Sequence, residues 1–356
     1  VKDARKPVLL HILTEKGKGF DGANLDAEKC HGFKKVKDSQ ASEGLTITPK
    51  PTISFSDAFA NSLCKLASTD QRIVGITAGM LSGTAMGKLK DIMPKRVYDV
   101  GIAEEHATVF AGGLAANGMR PVVAIYATFM QRAMDCVFHD ICLQELPVIF
   151  CMDRAGLVED GPTHHGIQDI SFWKTMPNLT IMQPRDDQEI AEMMQLAAKL
   201  DIASVIRYAK TNSHNIETNK ERTALELGKS EVLHDGSDAV IWASGRETET
   251  ALAVADMLKD KFSVKVVNAR FLLPFDSEAL LADAATMPII SLEDHMAEAG
   301  MGGIITSELF GQTNKGLLKK GYPIEIITWG KVNDLRATYR MNTEQIAEDI
   351  EKMLQK

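Results

Sequence analysis

No apolar stretch in this 356-residue sequence is long. Stretches such as Pro147 to Met152 and Ala239 to Ala243 fall far short of the roughly 20 residues that a membrane-spanning helix needs, so a membrane protein is not expected. Positive charge is not in surplus either. With 40 Lys+Arg against 48 Asp+Glu and a net charge of -8, no global basic field draws the chain to a nucleic-acid backbone or an anionic membrane. Any phosphate-binding site must therefore be local. Cysteine is sparse: Cys30, Cys64, Cys136, Cys142 and Cys151 form no C-x-x-C pair and no even framework. A disulfide scaffold or zinc ribbon fits poorly, and buried, reduced thiols of an intracellular protein are expected. The opening VKDARKPVLL reads neither as a signal peptide nor as a balanced domain start, which points to a chain whose N-terminal portion is missing.

What the sequence does contain is 45% hydrophobic and 25% charged residues, enough for two domains with sizeable cores. Short apolar β-rich runs alternate with amphipathic stretches, the pattern of a parallel sheet with helices on both faces and hence of α/β architecture. Strands are expected at Val8 to Leu13, Ile73 to Thr77, Val97 to Val100, Val122 to Tyr126, Val148 to Met152, Thr180 to Gln183 and Ala203 to Tyr208. Helices fit between most of them, at Phe55 to Ala67, Ala103 to Ala116, Phe129 to Leu146 and Asp187 to Leu200. The polar run from Lys210 to Arg222 has no apolar periodicity and marks an interdomain linker. Beyond it, strands at Ala239 to Ala243, Val264 to Asn268, Ile289 to Glu293 and Ile324 to Thr328 alternate with helices at Glu247 to Leu258, Ser277 to Ala285 and Ile304 to Phe310, and an amphipathic helix closes the chain. Residues 1–48 hold one strand and then a Lys- and Gly-rich excursion, too little for a core; they look like the tail of a preceding domain.

Three constellations carry chemistry. In Asp99-Val-Gly-Ile-Ala-Glu104-Glu105-His106 a strand runs through a glycine into a helix whose first turn holds two carboxylates, at the strand end where α/β sheets place ligands. The bland reading is that both acids merely complement the helix dipole. In Tyr126-Ala-Thr-Phe129-Met-Gln-Arg132 aromatic and basic residues at a strand-helix junction could wall a pocket for a planar ring and an anion; His139, two turns on, reads as satisfied by Asp140. The third, Asp153-Arg154-Ala-Gly-Leu-Val-Glu-Asp160-Gly-Pro-Thr-His164-His165-Gly166, is a long polar loop after a strand. It offers a guanidinium for an anion and a carboxylate and imidazole that exchange protons near neutrality. Nothing structural requires two adjacent histidines there. A metal at His164 and His165 is a weak reading, because neighbours in a loop seldom share one ion and no third ligand is evident. No metal ligand is assigned.

These segments, DVGIAEEHA, AIYATFMQRAMDCVFHD and DRAGLVEDGPTHHG, resemble the 1-deoxy-D-xylulose-5-phosphate synthase family of thiamine-diphosphate enzymes. The likeness runs from LHILTEKGKGF at residues 10–20, through ITAGMLSGTAM, to NARFLLPFD and EDHMAEAGMGG. It implies two doubly wound α/β domains, a transketolase-like pyrimidine-binding domain at 49–215 and a transketolase C-terminal domain at 222–356, after the tail of the N-terminal diphosphate-binding domain at 1–48. It further implies thiamine diphosphate and Mg²⁺ as cofactors and pyruvate and D-glyceraldehyde 3-phosphate as substrates. These are joined with loss of CO2 to 1-deoxy-D-xylulose 5-phosphate, for isoprenoid and thiamine precursors, by a homodimer of bacterial cytoplasm or plastid. By the resemblance, Glu104 matches the glutamate that bonds the pyrimidine nitrogen, Phe129 the stacking aromatic, and Tyr126 and Arg132 polar residues of the same wall. Arg154 and Lys210 match phosphate-binding positions for the acceptor, Asp160 and His164 the loop residues of proton transfer, and His31 a histidine near the reacting centre; His11 reads as a strand residue.

Departures from the family pattern are a loop one residue shorter between Val158 and Asp160, Gln168 in place of an aromatic, and Lys210 in place of an arginine, which keeps the charge and loses the planar fork. The family's GDG metal-diphosphate motif does not occur: FDG at 20–22, EDG at 159–161 and HDG at 234–236 lack its setting. Magnesium ligands are therefore expected in the missing domain, and activity is not expected from this chain alone. The alternatives are a transketolase or 2-oxoacid dehydrogenase β-type subunit, which share the domain pair, or a non-catalytic partner subunit. The Glu293-Asp-His295 stretch reads as a satisfied loop.

Overall fold

The computed structural model describes residues 1–20, 53–213 and 220–355. His31 and Cys30 lie outside the described residues. The chain divides into two compact units, Val1–Lys50 and Pro51–Lys356. In the first, residues 1–20 form turns and irregular backbone. The strand expected at Val8 to Leu13 is not formed and its residues are exposed. A strand needs a neighbour for its N–H and C=O groups, and none of the described strands pairs there; His11 is accordingly not on a strand.

The second unit begins with β1 (Ile53–Ser54) and α1 (Phe55–Thr69), whose N-cap Ser54 accepts from the Asp57 N–H at 3.0 Å. Phe55, Phe59, Leu63 and Ala67 recur every four residues and are buried as one stripe. There follow β2 (Ile73–Thr77), α2 (Gly87–Ile92), β3 (Val97–Asp99), α3 (Glu104–Ala116), β4 (Arg120–Tyr126), α4 (Met134–Cys136), β5 (Ile149–Asp153), α5 (Asp169–Trp173), β6 (Leu179–Met182), α6 (Asp187–Ala197), β7 (Ala203–Arg207) and β8 (Asn212–Ser213). The single helix expected from Phe129 to Leu146 is instead a 3-10 stretch (Phe129–Ala133), the one-turn α4 and a π stretch (Val137–Cys142). The first of these carries Phe129, which stacks on Tyr126 at the end of β4, and Arg132.

The chain continues as β9 (Glu231–His234), β10 (Ala239–Ala243), α7 (Glu247–Leu258), β11 (Val264–Asn268), β12 (Phe271–Leu273), α8 (Ser277–Thr286), β13 (Ile289–Met296), α9 (Met301–Leu309), β14 (Leu317–Tyr322), α10 (Val332–Thr338) and α11 (Thr343–Leu354). Two sheets organise these elements: a seven-stranded one in the order β12-β6-β7-β5-β4-β2-β3 and a five-stranded one in the order β14-β13-β10-β11-β9. Each is parallel apart from one edge strand, β12 on β6 and β9 on β11. Strands β2, β5, β7 and β10 are buried along their whole length, as parallel strands covered by helices on both faces must be.

β12 belongs by sequence to the second sheet's half and by pairing to the first sheet. Arg270, one residue before it, anchors the crossing: its buried guanidinium bonds Glu189 of α6 at 2.8 Å and Glu231 of β9 at 3.0 Å. The polar run Lys210 to Arg222 is tied at both described ends. Asn212 and Ser213 pair with β1, and the Arg222 guanidinium bonds Asp186.

Two further sequence expectations fail here. Ile324 to Thr328 is not a strand, and Ile324 and Ile326 are exposed; the strand is LLKKGY, β14. Its lysines hide it from a hydrophobicity pattern and suit an edge, and Lys320 bonds Asp349 at 2.8 Å. Glu293, Asp294 and His295 are not in a loop but inside β13, fully buried. Among the described residues Cys64, Cys136, Cys142 and Cys151 are free, the last two buried, and no helix is long and apolar enough to cross a membrane.

Candidate active site

The site forms where β2, β3, β4, β5 and β7 end. At the β3–α3 turn, the Asp99 carboxylate accepts from the Gly79 N–H at 2.7 Å and the Gly101 N–H at 3.0 Å. Gly101 takes φ +75°, a left-handed turn that glycine makes without strain. This turn launches α3 at Glu104, which is 1% exposed, whereas Glu105 beside it is exposed. The dipole reading thus suffices for Glu105 only. Glu104 Oε2 accepts from Arg132 Nη1 at 3.2 Å, and the half-exposed guanidinium closes one side of the carboxylate.

Past the end of β4, Tyr126 and Phe129 stack with centroids 5.6 Å apart and planes at 23°. His164 stands edge-on to Phe129 at 5.1 Å. Arg154 lies over the Tyr126 ring, its guanidinium carbon 3.5 Å from the centroid, a cation–π contact. Arg154 Nη1 also donates to the Gly83 carbonyl at 2.9 Å and to Asp153 Oδ1 at 3.0 Å. Glycine is required at 83 because a Cβ there would fall 1.8 Å from the Tyr126 hydroxyl. His139 takes no part: it is exposed, edge-on to Phe138 at 5.5 Å, and not bonded to Asp140.

The third constellation is a loop closed at its neck, where Gly156 and Gly166 exchange two backbone hydrogen bonds of 2.7 and 2.8 Å. A side chain at Gly166 would strike the Arg154 carbonyl at 2.3 Å. From this loop Asp160 accepts from Lys210 Nζ at 2.7 Å, with both side chains close to half exposed. Burial pushes the Asp160 carboxyl up, but the bonded Lys210 ammonium outweighs it and holds the group below its ordinary range. Partial burial lowers His164, Arg154 and Lys210 lower it further, and Asp160 opposes. His164 is thereby held below its ordinary value, with Nδ1 2.9 Å from the Thr163 hydroxyl.

The structure thus joins Glu104, Arg132, Phe129, Tyr126, His164 and Arg154 in one chain of contacts and sets the Asp160–Lys210 pair beside it. Three residues of the same place were assigned no role by sequence reasoning. Asp153 is buried, accepts from Ser56 at 2.7 Å and from Arg154, and is pushed up to about 6 by burial against those partners. Arg207, fully buried, grips Asp169 with two bonds of 2.8 and 3.0 Å and donates to the Gly166 carbonyl at 3.0 Å, fixing the loop's trailing end. His165 does have a structural role, since Nδ1 accepts from the Val158 N–H at 3.2 Å and Nε2 lies 3.3 Å from the Thr328 carbonyl. Behind them on β13, burial raises Glu293 to about 7 and lowers His295 to about 4, where Arg207 adds to the effect. A Gly-Pro turn in the loop was legible, but partners such as Ser56 for Asp153, Asp169 for Arg207 and Thr328 for His165 lie 38 to 163 residues away in sequence. Among the described residues no group of three or more His, Cys, Asp or Glu could hold a metal ion.

Residues 51–214 match the transketolase pyrimidine-binding domain and residues 228–346 the transketolase C-terminal domain. Curated relatives include the 1-deoxy-D-xylulose-5-phosphate synthase of Acidobacterium capsulatum, 41% identical over 98% of this chain and 56% of the relative. That of Methylacidiphilum infernorum is 38% identical over 99% of this chain and 56% of the relative. The chain spans little more than half the length of these relatives. Among solved structures, a split-gene transketolase in the form of an inactive beta4 tetramer aligns with TM-score 0.76 and 25% identity, over 86% of this chain and 99% of that one. The transketolase of Campylobacter jejuni aligns with TM-score 0.72 and 20% identity, over 85% of this chain and 47% of that one, a likeness of fold. With both domain models matched in order and such identity held along nearly its whole length, the chain belongs to the transketolase-like family together with the 1-deoxy-D-xylulose-5-phosphate synthases.

Proposed function

We propose that this chain provides the pyrimidine-binding and acceptor-binding part of a thiamine-diphosphate-dependent transferase that joins pyruvate to D-glyceraldehyde 3-phosphate with loss of CO2. The observation that carries the reading is the convergence of a buried carboxylate, a stacked aromatic pair and a guanidinium at one set of strand ends. The residues suit the cofactor: Phe129 offers a ring face, and Glu104, with a single described hydrogen bond, retains an oxygen for a ring nitrogen. When bound, thiamine diphosphate supplies an acidic thiazolium carbon and an electron sink. Glu104 then holds a proton at the pyrimidine edge, Tyr126 and Phe129 fix the plane, and Arg132 orients Glu104. His164, with no described hydrogen bond at Nε2, would exchange a proton with the substrate, and Asp160 would orient it electrostatically. Arg154 and Lys210 take the acceptor's phosphate. The diphosphate and its Mg²⁺ would be held by a diphosphate-binding domain, and His31, outside the described residues, would stand near the reacting centre, in a homodimer that completes the site.

A second reading, a β-type subunit of a split transketolase, is supported by the near-complete coverage of the split-gene chain that was solved in an inactive form. Both readings require a partner domain and differ in donor. The test supplies this chain with thiamine diphosphate, Mg²⁺, pyruvate and glyceraldehyde phosphate, alone and with a diphosphate-binding domain. Turnover is expected only with that domain and with pyruvate. Activity of the chain alone overturns the division of the site, and turnover with a ketose phosphate but not pyruvate selects the second reading.

A further inference from the structure

The loop that bears Asp160 and His164 is held from beneath by β13 of the other sheet. Its leading foot rests on Asp294, which is 2% exposed. Asp294 Oδ1 accepts from the Leu157 N–H at 3.1 Å and from the Tyr322 hydroxyl at 3.0 Å. Oδ2 has no hydrogen-bond partner among the described residues, and Arg246 stands 4.0 Å away. Gly156 presses so close that a Cβ there would fall 2.1 Å from Oδ2. The trailing foot is tied to the same strand, because the Met296 N–H donates to the Ile167 carbonyl at 3.1 Å and the Ile170 N–H to His295 Nε2 at 3.2 Å. Arg246, Tyr322, Arg336 with its partner Glu247, and His165 of the loop itself are the other polar and charged groups that face Asp294.

A buried carboxylate with one oxygen that lacks a hydrogen bond is costly, and packing between β13 and the loop does not call for one. We propose that Asp294 is a positioning residue: by fixing the Leu157 backbone it sets His164 against Phe129 and Asp160 against Lys210, so that the second sheet aims a loop that works at the first. Only the loop's part in the chemistry rests on the proposed function, and the positioning is read without turnover, so the two can fail separately.

The experiment compares wild type with Asp294→Ala and Asp294→Asn by amide hydrogen exchange across residues 154–168 and by the NMR titration of His164. In Asp294→Ala the loop amides should exchange about tenfold faster or more while β13 and β14 keep their protection. His164, no longer partly buried, should titrate higher, toward the ordinary histidine value. Asp294→Asn keeps an oxygen for the Leu157 N–H and should rescue both signals. Unchanged loop exchange in Asp294→Ala, protection lost equally in β13 and β14, or a loop that Asn fails to rescue would each overturn the proposal. Should the Ala variant not fold, Asp294→Ser, polar but too short to reach Leu157, is read by the same signals, with faster loop exchange supporting the proposal and unchanged exchange overturning it.

Discussion

Lys210→Ala separates two accounts of one lysine by their size. In the structure Lys210 Nζ is 2.7 Å from Asp160 Oδ2, and the two side chains are 44% and 41% exposed. An ion pair so open to water contributes about 0.2 to 1 kcal/mol, so a lysine that served only this pair would cost stability of that order and nothing in binding. If Lys210 also takes the acceptor's phosphate, its loss removes a charge-assisted hydrogen bond of roughly 1.5 to 3 kcal/mol. At about 1.4 kcal/mol per decade, the KM for glyceraldehyde phosphate should rise roughly 10- to 150-fold. Pyruvate decarboxylation without acceptor should be spared. Releasing Asp160 from the lysine also removes what holds its carboxyl low, so any group titrating there in the kcat profile should move up. Steady-state kinetics of the complete enzyme with acceptor and pH varied, decarboxylation without acceptor and an unfolding curve read these outcomes. An acceptor KM within about twofold of wild type together with a stability loss under about 1 kcal/mol would refute phosphate binding by Lys210 and leave it the partner of Asp160.

Two further outcomes follow from buried carboxylates. Glu104→Gln should leave folding within about 1 kcal/mol and reduce turnover by about 10²- to 10⁴-fold, the usual scale of a lost proton-handling group. Glu105→Gln, at an exposed helix start, should be mild, and equal rates of the two variants would refute the assignment. For Asp153 the sign is fixed by its raised value: the folded state holds the proton more tightly, so its favourable contribution is complete below the ordinary 3.8 and is lost as pH rises through about 6. Asp153→Asn should therefore gain on wild type as pH rises, by up to about 3 kcal/mol between pH 4 and 8 at about 1.4 kcal/mol per pH unit; a stability difference independent of pH would show that the group is not buried as a carboxyl.

How much of the fold was legible depended on how an element comes to be buried. β10, α7 and β11 occupy the residues expected of them, because β10 and β11 must be apolar to lie between layers, α7 must be apolar on the face it turns inward, and each is bounded by polar turns. β12 and β14 were not legible for opposite reasons. FLL is too short to carry a period, and its partner is a strand about 90 residues earlier. LLKKGY is an edge strand whose lysines pair with Glu298 and Asp349 instead of joining the core. The error at Phe129 to Leu146 is a third kind: the apolar spacing there is helical, but the turn is wound tight at one end and loose at the other, and pattern alone does not distinguish one helical winding from another.

The paired histidines show where legibility of the site ended. Composition placed two imidazoles in a loop at a strand end, and that was enough to mark the loop. It gave no means of dividing labour between them, because both have the same chemistry and adjacent positions. The division comes from the neighbours. His165 accepts a backbone N–H at Nδ1 and lies within bonding reach of a carbonyl at Nε2, which makes the neutral form with its proton on Nε2 the one that satisfies both. Protonation would set a second N–H against the Val158 N–H, consistent with burial lowering this group. His164, by contrast, spends only Nδ1, on a hydroxyl that can donate or accept, and remains free to gain or lose a proton at Nε2. One imidazole is locked so that the other can titrate in a fixed place, and the lock, like Asp294, is set in the second sheet's half of the molecule. This gives the C-terminal half a part in placing the loop that its own strands and helices, read singly, do not announce.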